Sequence, residues 1–235
     1  MTALLLKMGG KKGQAALSSS LSSTELFKAA IQFLSTTDFN KKAFVFGASK
    51  GASTDAYRES GPVMFDPTRQ VNLLFKMNSW SASLLQLHAK STTTLLADEA
   101  VEKFEPTFIA KVDIPLQIFD AVLTVQLPDT FNTKSLVDRN GALPAFGAEV
   151  CKVLKKAYGN RAQLVHIQLP ERKSWKLGAN PTKITTKALT VGVIFDLANM
   201  TRQMEHGPPA EEQKEAAKFR QFWGEKAELR RFKDG

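Results

Sequence analysis

Apolar and polar positions alternate with period two in "FDAVLTVQL" (119–127), which sets Ala121, Leu123, Val125 and Leu127 on one side of a strand. The alternation returns in "LVHIQL" (164–169), with His166 on the polar side, and "ALTVGVIFDL" (188–197) reads as a further strand. Between the first two lie a loop containing "DRNG" and then a helix, with Leu143, Phe146, Val150, Val153 and Leu154 on one face and Gly159 as its stop. "GPPAEEQKEAAKFRQFWG" carries the marks of another helix: Pro209 near the start, Glu211 and Glu212 in the first turn, Lys218 and Arg220 toward the end, Gly224 just beyond. "AELRRFK" makes a fourth strand. The order strand, helix, strand, strand, helix, strand predicts a ferredoxin-like βαββαβ domain.

The first half reads differently. Ser22 and Glu25 form an S-x-x-E capping box ahead of a helix whose Leu26, Phe27, Ala30, Ile31 and Leu34 share a face. "AFVF" (43–46) is a short strand, and "VMFD" and "VNLLFKM" flank "PTRQ" as an extended pair. Asn78 caps a longer helix carrying Trp80, Leu84, Leu85, His88, Leu95 and Leu96. The whole is expected to be α+β, mostly helical before residue 110. "MTALLLKMGG" reads as the end of a helix with no visible start, and Asp234-Gly235 as a turn leading onward, so the chain is expected to be the middle of something longer.

Composition adds little except through charge. The chain has 235 residues, 43% of them apolar, and no apolar run near the roughly 18 residues of a membrane span. The single Cys151 excludes an internal disulfide and a cysteine-based zinc site. A net charge of +9 points to an anionic partner, nucleic acid or an acidic protein surface.

Catalytic patterns are sought and not found. "FGASKGASTDAYRE" imitates the start of a nucleotidyltransferase site, but Asp55 has no Asp-x-Asp pair on a strand to complete a two-metal centre, and Lys50 lacks the spacing of a P-loop. "KKAFVFGA" lacks the glycine of an RNA-recognition strand, which leaves Phe44 and Phe46 as core residues. His88, His166 and His206 are far apart and have no partner at metal-ligand spacing. No catalytic residue, metal or cofactor is expected.

Two basic groups remain as candidate RNA or partner contacts. Lys152, Lys155, Lys156 and Arg161 lie around the back of a helix. In "KFRQFWGEKAELRRFK", Lys226, Arg230, Arg231 and Lys233 follow Phe219, Phe222 and Trp223, a mixture that suits RNA because cations meet phosphates while aromatics stack on bases. The plainer alternative places the three aromatics in the helix core, as helical spacing favours. Arg230 and Arg231 point to opposite faces of a strand, so a one-sided sheet leaves at most one of them freely solvated.

Four stretches together, "SSSLSSTELFKAAIQFLSTTDF", "FDPTRQVNLLFKMNSWSASLLQLHAKSTTTLLAD", "FEPTFIAKVDIPLQIFDAVLTVQLP" and "HGPPAEEQKEAAKFRQFWGEKAELRRFKDG", resemble the Nrap family of nucleolar RNA-associated proteins. The resemblance implies two tandem copies of a class I CCA-adding enzyme that have lost catalysis. Residues 1–110 would be the first PAP/OAS1-like neck, in which "FDPTRQVNL" resembles the family's Asp-Pro…Asn element. Residues 111–235 would be the ferredoxin-like body. It further implies a nucleolar scaffold of the small-subunit processome. Such a scaffold would act in 18S ribosomal RNA maturation with pre-rRNA and the U3 small nucleolar ribonucleoprotein, and with an rRNA-processing protein and casein kinase II. No membrane and no small-molecule substrate are implied. The alternative is the neck and body of an active RNA nucleotidyltransferase.

Overall fold

Ser22 and Glu25 open the first helix, α1 (Ser23–Thr36), with a reciprocal cap. The Glu25 amide donates to Ser22 Oγ at 3.3 Å and the Ser22 amide donates to Glu25 Oε2 at 2.7 Å. The computed structural model describes residues 17–18, 20–46, 61–97, 104–109, 116–129, 131, 136–170, 176–179, 187–209 and 211–228. The expected apolar helix at the N-terminus and the loop at 47–60 lie outside them.

Three short strands follow α1: β1 (Phe44–Val45), β2 (Met64–Asp66) and β3 (Val71–Asn72), in sheet order β1-β2-β3, with β1 parallel and β3 antiparallel to β2. Asp66 and Asn72 hold this small sheet together. Asp66 is 4% exposed, and its carboxylate accepts the Thr68 and Arg69 amides and the Arg69 guanidinium. Burial alone would raise its pKa, but these donors outweigh burial and hold it below the ordinary carboxylate value. Asn72 Oδ1 accepts the Met64 and Leu74 amides, and its Nδ2 donates to the Pro62 carbonyl. The Asp-Pro…Asn element is thus a hydrogen-bonded clamp on a hairpin. Helix α2 (Ser79–Ala97) packs along α1, burying Ala82 with Phe39, Phe44 and Met64, against which Phe33 and Leu34 of α1 pack.

The second sheet has the order β4-β6-β5, all antiparallel: β4 (Ala121–Gln126), β5 (Ala162–Gln168) and β6 (Ala188–Phe195). Helix α3 (Leu136–Tyr158) connects β4 to β5, and α4 (Gln213–Trp223) follows β6. β6 lies between β4 and β5, so the chain crosses over β6 through α3. The expected fourth strand, apart from Ala227 and Glu228, lies outside the described residues. Leu189, Val191 and Val193 of β6 are fully buried beneath α3, together with Val165 and Ile167 of β5, and Trp80 of α2 joins the same cluster.

Several expectations are corrected. The "DRNG" stretch is helical, since α3 starts at Leu136. A glycine inside a helix costs only ~1 kcal/mol, which packing of the following turns offsets. Val153 is 45% exposed, while Leu143, Gly147 and Cys151, spaced four apart, take the inner face. Gly147 lets the helix approach closely: a Cβ would lie 3.2–3.4 Å from the side chains of Leu169, Ile167 and Trp80. Glu211 and Glu212 precede α4 rather than forming its first turn. His166 is not on a polar face. β5 is buried from Leu164 to Ile167 on both sides, because Leu84 of α2 and Phe119 cover Leu164.

Phe119 lies flat on His166, with ring centroids 5.8 Å apart and planes at 12°, and occupies the space that Gly192 leaves open. A Cβ on Gly192 would meet that ring at 2.5 Å. Gly192→Ala is therefore expected to destabilise the fold by about 1–3 kcal/mol, read as a lower urea midpoint; an unchanged midpoint would contradict this packing. Burial pushes the His166 imidazole below its ordinary value of 6.5, and His88 pushes it the same way. Below that pH the unfolded chain binds a proton that the folded chain resists, so stability is full above it and falls as pH drops through the window. His166→Gln should flatten the decline in urea-measured stability between neutral pH and pH 5. An equally steep decline in the variant would place the effect elsewhere.

Candidate functional site

The basic residues singled out from the sequence fall into distinct environments. Lys152 projects into solvent, 3.9 Å from Glu149 on the same helix, a surface pair of small energetic weight. Lys156 reaches over the Phe222 ring at 4.3 Å from its centroid and so ties α3 to α4. Lys226 is exposed in the tight turn Gly224–Lys226. Lys155 of α3 is half-buried and faces a groove shared with Lys41 and Lys90. Arg230, Arg231 and Lys233 lie outside the described residues.

Arg161 differs from the solvated cation expected. Its side chain is 20% exposed and donates to the carbonyls of Ala157, Tyr158 and Arg202, with Glu205 Oε2 3.4 Å away. Two of those carbonyls end α3, so Arg161 caps the helix from which the lysines project. Arg202 completes the cluster, donating to Glu205 at 2.7 Å and to Asn160 at 2.8 Å.

Phe219, Phe222 and Trp223 are half-buried and pack on one another, with ring centroids 6.1 Å and 5.1 Å apart along α4. They form a contact ridge rather than a closed core. Phe44 is buried at 5% exposure and belongs to the first-half core. Phe75, which the sequence reading did not single out, is 75% exposed with Lys76 Nζ 5.6 Å from its centroid.

The histidines are closer than their sequence positions suggest. His88 of α2 acts on His166 of β5, and His88 Nε2 and His166 Nδ1 are both buried without a hydrogen-bond partner among the described residues. Their wide separation in sequence concealed this. Cys151 is 1% exposed, and burial pushes its thiol up, so it stays protonated and unreactive. Among the described residues no three His, Cys, Asp or Glu side chains gather as metal ligands, and no helix is long and apolar enough to cross a membrane.

Arg161→Ala should destabilise the chain by about 1–3 kcal/mol, because it strands helix-end carbonyls and half of the Glu205 pairing. Lys152→Ala should stay within about 0.5 kcal/mol of the parent. Urea unfolding of the two variants side by side checks this, and equal midpoints would contradict the capping role.

Comparison with known proteins gives two matches that meet near the middle of the chain. The family profile described as Nrap protein PAP/OAS-like domain matches residues 1–111, and that described as Nrap protein domain 3 matches residues 115–235. Nucleolar protein 6 of Xenopus tropicalis is 30% identical over 230 residues, covering 92% of this chain and 20% of the relative. The U3 small nucleolar RNA-associated protein 22 of Schizosaccharomyces pombe is 25% identical over 241 residues, and that of Saccharomyces cerevisiae 27% over 266, each covering all of this chain and 22% of the relative. The chain spans about a fifth of the length of these relatives. With the two profiles together accounting for nearly every residue, the chain belongs to the Nrap family.

Proposed function

We propose that this chain is a non-catalytic scaffold module of the small-subunit processome, acting in the nucleolus in pre-18S rRNA processing and 40S biogenesis. The observation that carries the reading is family membership along nearly the whole chain, with relatives named as nucleolar and U3 small nucleolar RNA-associated proteins. The net charge of +9 supports contact with an RNA backbone. Residues 1–110 serve as a PAP/OAS1-like domain and residues 111–235 as a ferredoxin-like one. Lys152, Lys155, Lys156, Lys226, Arg230, Arg231 and Lys233 form the RNA- or partner-facing surface, and Arg161 positions it by capping α3. Pre-rRNA and the U3 particle are the RNA partners. An rRNA-processing protein and casein kinase II are the protein partners that the family resemblance implies.

Purification of an epitope-tagged copy from growing cells tests the reading. U3 small nucleolar RNA and precursors of 18S rRNA are expected to co-purify well above an untagged control. Absence of both, or addition of labelled nucleotides to RNA by the purified protein, would contradict a non-catalytic processome module.

A further inference from the structure

A groove of about 480 Å³ opens where the two halves of the chain meet. One wall is the turn after α1, with Asp38, Asn40 and Lys41; another is α2, with Gln86 and Lys90; the third is the end of α3 and the start of β5, with Lys155 and Gln163. Three lysines thus converge from segments that are distant in sequence. Among the described residues the one carboxylate in the lining is Asp38, whose Oδ2 is 3.6 Å from Lys41 Nζ. Lys90 and Lys155 have no carboxylate partner among the described residues, so the groove is left with a net positive lining.

The neutral lining matters as much. Asn40 Nδ2 is committed to Ser79 O and Ser83 Oγ, and Gln86 Nε2 to Ser35 O, so both amides present their carbonyl oxygens as free acceptors. Gln163 is exposed and brings an amide free on both ends among the described residues. Leu87 and Ala162 supply a small apolar floor. Cations at the rim, amide donors and acceptors within and a narrow apolar floor match one strand of ribonucleotide: phosphates at the lysines, ribose hydroxyls and base edges at the amides. A volume of this size is in the range of small-ligand sites, ~300–1,000 Å³, and is too small for a duplex.

We propose that this groove between the halves binds single-stranded RNA, with Lys41, Lys90 and Lys155 meeting the backbone and Gln86 and Gln163 the ribose and bases. The proposal rests on the RNA-scaffold reading and gives it a location. Binding of a fluorescein-labelled oligouridylate, followed by anisotropy across a salt series, tests it on the intact chain. The variant Lys41→Gln/Lys90→Gln/Lys155→Gln should bind about tenfold more weakly, and its log–log salt slope should be shallower by about 2, as expected for three lost contacts on a single strand. Lys152→Gln/Lys156→Gln/Lys226→Gln, on the outward surface, should lose less. If the outward variant weakens while the groove variant binds normally, the groove is overturned and the scaffold reading survives. If the parent chain binds no RNA, both fall. Polyglutamate that binds more tightly than RNA, with the same dependence on the groove lysines, would make the site an acidic-peptide site and overturn the proposal. Crosslinking of a 4-thiouridine oligonucleotide to the unmutated protein removes any dependence on how the variants fold. Adducts within residues 83–90 or 155–163 are expected, and adducts confined to other segments would overturn the site.

Discussion

Strand β5 is the joint on which the molecule depends. Four consecutive side chains, Leu164 to Ile167, are buried, although a strand at the edge of a three-stranded sheet ordinarily keeps one face wet. Helix α3 covers one face, and Trp80 of α2 reaches into that same cluster, while Leu84 of α2 and Phe119 close the other at Leu164. Each fully buried aliphatic side chain contributes about 1.5–3 kcal/mol, so the seam adds to the cohesion of the two cores it joins. Its consequence is that the two halves form one packed body and not two beads on a linker.

The groove and the histidine contact sit on or beside that joint. The groove exists because α2 and the end of α3 approach β5 from different sides, leaving the turn after α1 as a third wall. His166 lies inside the same contact, where burial holds its imidazole below the ordinary value, so acid weakens the seam. Arg161 stands at the junction between α3 and β5, holding the helix end from which Lys155 faces the groove and Lys156 meets Phe222. A surface made from such scattered lysines suits a scaffold, since phosphate contacts need charge and position but no reacting group.

Much of this was legible in the chain. The strict alternation at 121–126, the capping box at Ser22 and the end of α4 at Gly224 appear where local pattern puts them, because each depends on neighbours in sequence. His166 was misplaced for a physical reason. Alternation reports a strand with one covered face, and here a helix from the other half covers the second. The helical "DRNG" segment shows a turn signal overridden by the helix that runs through it. Arg161 could not be told from its lysine neighbours, since only the fold brings Ala157, Arg202 and Glu205 to its guanidinium. Lys41 and Lys90 carried no signal, being isolated cations in unrelated segments. The family resemblance was carried by residues such as Asp66 and Asn72, whose part in the structure is to clamp a hairpin.

Amide hydrogen exchange of the chain, with and without a saturating single-stranded RNA, is the most direct test of an RNA scaffold organised around this seam. The account predicts slowed exchange in the turn at 38–41, along 83–90 and at the junction 155–163, with the far end of the second sheet unaffected. Protection confined to other segments, or exchange unchanged by RNA, would contradict it.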